Sequence, residues 1–204
     1  MNFLAHLFLA QPTADSYFGN LLGDFRRGVD LNDYPHAVRT GVANHMHVDK
    51  FTDHHPLVKK AKTLVSESRR RYAGIMLDIL FDHFLIKHWQ HYSHQSLHDF
   101  CEDVYTRLGS RVHVMPSRMQ IVVKGMLKYR WLTTYQNLSG VGKALDRTAG
   151  RIRFANSFHG SIEEVQANYS DFEQAFTAFF PELIESVRAH NIEIITPKNN
   201  CPSY

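Results

Sequence analysis

Apolar residues recur at helical spacing along nearly the whole chain, and runs of strict alternation that would mark strands are scarce. The pattern predicts helices over 2–10, 16–25, 35–54, 56–69, 71–91, 95–109, 116–137, 140–149 and 161–190. Several boundaries carry their own chemistry. Pro35 and Pro56 suit first-turn positions, where a missing N–H costs nothing. Asp53 can cap the helix that opens at Pro56, and "SIEE" at 161–164 has the form of a capping box. Gly28 and Gly109 read as helix ends, and Pro181 is expected to kink or divide the last helix. The fold class expected is all-α: a single-domain multi-helix bundle over 1–190, with 191–204 a frayed C-terminal tail.

Interruptions of this pattern are more informative than the pattern. The segment "MLDILFDHFLIKHW" at 76–89 is apolar enough for a core, yet it carries Asp78, Asp82 and His83. Residues three or four apart share a helix face. By that rule Asp78 and Asp82 form one stripe, His45, Asp49 and Asp53 a second, Asn2 and His6 a third, and Asn20 and Asp24 a fourth. Buried carboxylates and imidazoles are costly unless paired or bound to a cation. Four polar stripes facing one bundle interior therefore suggest a metal site. Its candidate ligands are His6, Asp24, His45, Asp49, Asp78 and Asp82.

A mixed oxygen and nitrogen set suits manganese, magnesium or iron, in one or two ions; zinc is less favoured without a nearby thiolate. Simpler roles compete: Asp53 as a cap only, Asp49 paired with a Lys or Arg, His6 as a hydrogen-bonded core histidine, His83 orienting a carboxylate.

Composition narrows the class. Of fourteen histidines, eleven lie within the first 100 residues, so any chemistry is expected in the N-terminal half. The net charge of +3 is too weak to indicate nucleic acid but is compatible with an acidic partner. Cys101 and Cys201 match no metal or redox spacing, which favours a reduced, cytoplasmic setting. "MNFLAHLFLA" has no Lys or Arg before Arg26 and reads as a buried helix rather than a leader. No stretch reaches the roughly 20 apolar residues of a membrane span. Gly-rich phosphate loops and nucleophile elbows are absent from the sequence. The cationic candidates for phosphate or an acidic protein are Arg26, Arg27 and the run Arg69, Arg70 and Arg71.

"MNFLAHL" at the start, "GNLLGDF" at 19–25, "FTDHHP" at 51–56 and "DHFLIKHW" at 82–89 together resemble the acyl carrier protein phosphodiesterases. The likeness continues through "WLTTY" at 131–135 and "FFPEL" at 179–183. The resemblance implies an α-helical fold distantly related to the His-Asp metal phosphohydrolases, a divalent metal with manganese favoured, and cytoplasmic action. It implies hydrolysis of the phosphodiester joining 4′-phosphopantetheine to a serine of acyl carrier protein by a metal-activated water, giving the apo carrier and free 4′-phosphopantetheine. His6, Asp24, Asp53, Asp82 and His83 fall inside the matching motifs; His45, Asp49 and Asp78 fall in flanking segments that also look similar. The adjacent pair here reads Asp-His rather than His-Asp, which leaves the ligand-by-ligand assignment open.

On this reading Arg27 or Arg26 offsets charge on the phosphoryl oxygens, and His83 or His47 is the general acid. Arg69–Arg71 form the docking surface for the acidic carrier. Two other readings stay open: a metal-dependent phosphohydrolase of a nucleotide or other small phosphate compound, and a non-catalytic bundle binding a metal or haem.

Overall fold

The computed structural model describes residues 1–193; within them every regular element is helical. Eleven α-helices follow in order: α1 (Phe3–Phe8), α2 (Ala14–Leu22), α3 (His36–His54), α4 (Pro56–Thr63), α5 (Ala73–Lys87), α6 (Trp89–Tyr92), α7 (Leu97–Arg111), α8 (Ser117–Tyr129), α9 (Leu138–Ala149), α10 (Ile162–Ala167) and α11 (Tyr169–His190). Short 3₁₀ turns join them, the longest at Trp131–Gln136. The result is a single all-α domain. No described helix is long and apolar enough to cross a membrane.

Helix α5 runs through the centre. It is buried on nearly every side, as a helix apolar all round must be, and it touches α1, α4, α9, α11 and the Trp131–Gln136 turn. Phe81 and Phe84 of α5 meet Phe176 of α11, and Phe81 also meets Phe179, with ring centroids 5.5–5.8 Å apart. These aromatics are fully buried and anchor the long last helix across the core.

Helices α2 and α3 approach most closely. A Cβ on Gly19 would lie 2.2 Å from the Val38 carbonyl oxygen, and one on Gly41 would lie 2.9 Å from the Gly19 Cα. Only glycine permits this backbone contact. One turn further along both helices the same register sets Gly23 against His45, so the glycine crossing aligns the end of α2 with the middle of α3.

Several local expectations are corrected. The segment 56–69 is helical only to Thr63. The segment 116–137 breaks at Arg130, which adopts a left-handed φ of 51° before the 3₁₀ turn. The last segment divides at Asn168 rather than at Pro181, which sits inside α11. Gly109 lies inside α7, and Gly28 occupies a turn at φ 79°. Ser161 caps nothing: its hydroxyl is buried without a partner. Glu164 instead accepts from the Ser66 backbone at 3.0 Å and from Arg69 at 2.9 Å, tying the 64–69 loop to α10. The α4 cap is His55, whose Nδ1 accepts from the Leu57 N–H, while Asp53 pairs with Lys62 at 2.9 Å.

Residues 191–193, placed in the tail by sequence, are held by Glu193, which accepts from Ser16 Oγ at 2.7 Å and Asn20 Nδ2 at 2.8 Å. The rest of the expected tail, 194–204, lies outside the described residues, as does Cys201.

Candidate metal centre and cleft

Helix α1 begins with Asn2, whose side chain accepts from the Phe3 N–H. The next two free N–H groups, of Leu4 and Ala5, donate to the two oxygens of Asp82, each at 3.0 Å. A carboxylate from the middle of α5 thus finishes the first turn of α1 across the core. That bond pair fixes where His6 points.

His6 stacks on His45 of α3, with ring centroids 3.9 Å apart and planes 18° from parallel. Both rings are buried. Asp49, one turn after His45, lies between them: its Oδ1 is 3.2 Å from His6 Nε2, and its Oδ2 is 3.0 Å from His45 Nε2. One donor atom from each of the three residues falls within a 4.8 Å cluster. Asp24, on the turn after α2, reaches to 3.8 Å of His45 Nε2. The amino group of Met1 sits 3.0 Å from Asp78 Oδ1 and 3.5 Å from Asp49 Oδ1.

The charge states of His6 and Asp49 suit cation binding. Burial drives His6 down to about 3, although the contact with Asp49 opposes the shift, so this imidazole is neutral with its lone pair free. Burial alone would raise Asp49, but His45, His6 and the Met1 ammonium outweigh it and hold the carboxyl well below its ordinary range. Burial also raises Asp24.

The cluster is incomplete as hydrogen bonding. Both ring nitrogens of His6 and Nδ1 of His45 are buried with no hydrogen-bond partner, and the 3.2 Å approach of His6 Nε2 to Asp49 lacks hydrogen-bond geometry. Each unsatisfied buried group costs about 1–3 kcal/mol. Two imidazoles with unpartnered ring nitrogens and an ionised carboxylate converging on one point are a donor set that fits a divalent ion.

Gly23 makes the space for this arrangement. A Cβ there would fall 2.2 Å from His45 Cδ2. Gly23→Ala is therefore expected to displace the ring, costing about 1–3 kcal/mol of stability and at least roughly tenfold in manganese affinity. Melting and calorimetric titration read the two effects. Gly125→Ala on α8, where a Cβ would meet nothing within 4 Å, is the control. A Gly23→Ala protein with unaltered manganese affinity would refute this account of the packing.

A cleft of about 280 Å³ opens beside the cluster. Asp24, from the turn after α2, and Asp78 and Asp82 of α5 line it, as do Arg147, Thr148 and Arg151, at and just beyond the end of α9. Tyr135 of the 3₁₀ turn lies on the cleft and receives a hydrogen bond from Asn2 Nδ2 at 3.1 Å.

The other sequence candidates lie elsewhere. His83 is turned from the cleft by its one-residue offset from Asp82; its Nδ1 meets the Tyr135 carbonyl at 2.6 Å and its Nε2 the Tyr169 hydroxyl at 2.9 Å. It therefore anchors the 3₁₀ turn that forms part of the cleft wall. His47 is about 200° around α3 from His45 and packs on α11, with Nε2 3.0 Å from Ser186 Oγ. Arg26 and Arg27 are exposed and do not line the cleft. Arg69 is committed to Glu164 and to the carbonyls of Ser157 and His159. Arg70 and Arg71 are exposed, with the Arg71 guanidinium 4.7 Å from the Phe154 ring centroid.

Sequence reasoning missed Arg147, Arg151 and Tyr135. Tyr135 ends the "WLTTY" motif, and the arginines recur at a spacing of four in "RTAGR", but nothing in that pattern says that the face looks into a cleft.

Comparison with known proteins shows the family. A family model described as acyl carrier protein phosphodiesterase matches residues 1–183. A Serratia proteamaculans protein named acyl carrier protein phosphodiesterase is 35% identical over 92% of this chain and 98% of its own length. Similar proteins of the same name from Yersinia pestis, at 35% identity over 94% of this chain and all of the relative, and Photorhabdus laumondii, at 36% over 91% and 94%, extend the likeness. No solved structure matches. Because the match spans the helices that carry the cluster and the lining of the cleft, the chain belongs to the acyl carrier protein phosphodiesterase family of enzymes.

Proposed function

We propose that this enzyme hydrolyses the phosphodiester between 4′-phosphopantetheine and a serine of acyl carrier protein, with a divalent ion, manganese first, held by His6, His45 and Asp49. The observation that carries the reading is the pair of buried histidines with unpartnered ring nitrogens, joined by half-buried Asp49, beside an open cleft. Asp24 and Asp78 stand at the edge of the cluster as further oxygen donors. A divalent cation there supplies Lewis-acid polarisation of a phosphoryl oxygen and acidification of water.

The chain's own residues do the rest. Asp82 holds the first turn of α1 and so keeps His6 in place. Tyr135 accepts from Asn2, which leaves its own proton free for the cleft. Burial raises this phenol, so it stays protonated. A serine alkoxide is a poor leaving group and needs such a donor; Tyr135 takes the role that the sequence offered to His83 or His47. Arg70 and Arg71 are the exposed cations that meet the acidic carrier. The reaction takes place in the reducing cytoplasm, where the buried thiol of Cys101 stays free.

The test is incubation of the protein with holo-acyl carrier protein and manganese, followed by intact-mass measurement. The expected result is loss of the 4′-phosphopantetheine mass, stopped by a chelator. A folded protein that leaves the holo carrier intact with every divalent ion, or that prefers a nucleotide, would overturn the reading.

A further inference from the structure

The lining of the cleft carries both kinds of charged group, and they are not paired with each other. Asp24, Asp78 and Asp82 come from the turn after α2 and from α5. From the end of α9, Arg147 and Arg151 present exposed guanidiniums. Arg147 donates to the Lys143 carbonyl of its own helix at 3.1 Å. Among the described residues no carboxylate lies within ion-pair distance of either arginine. This contrasts with Arg69, Arg107 and Arg111, each of which is paired. Both side chains line the same cleft as Tyr135 and Asp82.

An anion that fits this cleft must tolerate its carboxylates, which calls for a cation beside them, and must offer several oxygens to forked N–H donors. A phosphate ester does both. Its non-bridging oxygens can engage a cation and the arginines at once, and guanidinium forks match phosphate oxygens in bidentate geometry. Thr148, between the two arginines in sequence, adds a hydroxyl to the same lining. Ile75, Ile79 and Trp131 supply an apolar border suited to the organic arm of such an ester.

We infer that Arg147 and Arg151 form the clamp that grips the phosphate of the phosphopantetheine ester in this cleft. The inference rests on the proposed reaction for the identity of the ester, but not for the clamp itself. It assigns phosphate recognition to the end of α9, outside the histidine-rich half, and gives Arg26 and Arg27 no part in it.

Binding separates the two ideas. The probes are 4′-phosphopantetheine, pantetheine without the phosphate, and inorganic phosphate, titrated calorimetrically into the full chain with manganese present. The proteins are wild type, the double variant Arg147→Gln/Arg151→Gln, the double Lys variant, and Arg118→Gln on α8 as a remote control. The double Gln variant is expected to bind 4′-phosphopantetheine and phosphate at least roughly tenfold more weakly, in line with the loss of charged hydrogen bonds. Pantetheine binding should not change, Lys should restore part of the affinity, and Arg118→Gln should match wild type. Because both arginines are exposed, melting temperatures should stay equal.

A double Gln variant that binds phosphate like wild type, or a wild type that binds neither phosphate probe, overturns the clamp. A wild type that shows arginine-dependent phosphate binding yet leaves the holo carrier uncut upholds the clamp and defeats the proposed reaction instead.

Discussion

Asp49→Asn is expected to weaken manganese binding by at least about 100-fold and to lower kcat/KM on holo-acyl carrier protein in the same proportion. Asp49 is the residue that touches both imidazoles and the Met1 ammonium. Its carboxyl is held ionised far below its usual range, so it supplies a full negative charge at any working pH. Asparagine keeps the shape and one carbonyl oxygen but loses that charge. The two imidazoles then remain, of which His6 is set against carrying a proton.

The melting curve gives an independent readout. A ligand that binds only the folded state stabilises it by RT ln(1 + [L]/Kd), so wild type should gain several degrees with excess manganese and Asp49→Asn almost none. A variant that still gains the full shift would move the ion away from this cluster. A variant that loses the shift but keeps the hydrolysis would show that the reaction does not use the ion.

The helical-face rule carried the sequence reading furthest where one helix supplies two neighbours of the site. His45 and Asp49 are a single turn apart on α3, and the structure sets them side by side. It also brings His6, from another stripe, into the same cluster. The rule was weakest where a motif invited adjacent residues to act together. His83 follows Asp82 directly, yet one residue is about 100° of helix, so Asp82 faces α1 while His83 faces Tyr135 and Tyr169. His47 fails in the same way against His45.

Other features depend on tertiary packing, which periodicity does not encode. The Gly19–Gly41 crossing is invisible until two helices are docked. Glu164 looked like part of a capping box because local spacing cannot show that Ser66 and Arg69 compete for its oxygens. Arg147 and Arg151 went unnoticed, because a cleft lining and an open surface have the same amphipathic pattern.

Asp82→Ala is expected to destabilise the fold severely, and its pH dependence tests what the residue does. Truncation leaves the N–H groups of Leu4 and Ala5 buried without acceptors. At about 1–3 kcal/mol each, that is roughly 2–6 kcal/mol before any loss of packing. Against this stands the cost of burying a carboxylate. Burial raises Asp82 to about 7 even though two backbone donors and the Met1 ammonium pull the other way.

The sign follows from proton uptake. Between the ordinary carboxyl value near 4 and about 7, the folded state holds a proton that the unfolded state has released. Asp82 therefore contributes most to stability below about pH 4, and the contribution shrinks as pH rises through 7. Hence the gap in unfolding free energy between wild type and Asp82→Ala, measured with a chelator present, should be wider at pH 5 than at pH 8. His6 also titrates differently in the two states, but it is present in both proteins and cancels in the difference. A gap that widens with rising pH would mean that the two N–H bonds to the charged form outweigh burial, and that Asp82 is a carboxylate cap ionised throughout. In that case it would offer the cleft a permanent negative charge beside Asp78, and a cation in the cleft would have one more fixed oxygen donor to use.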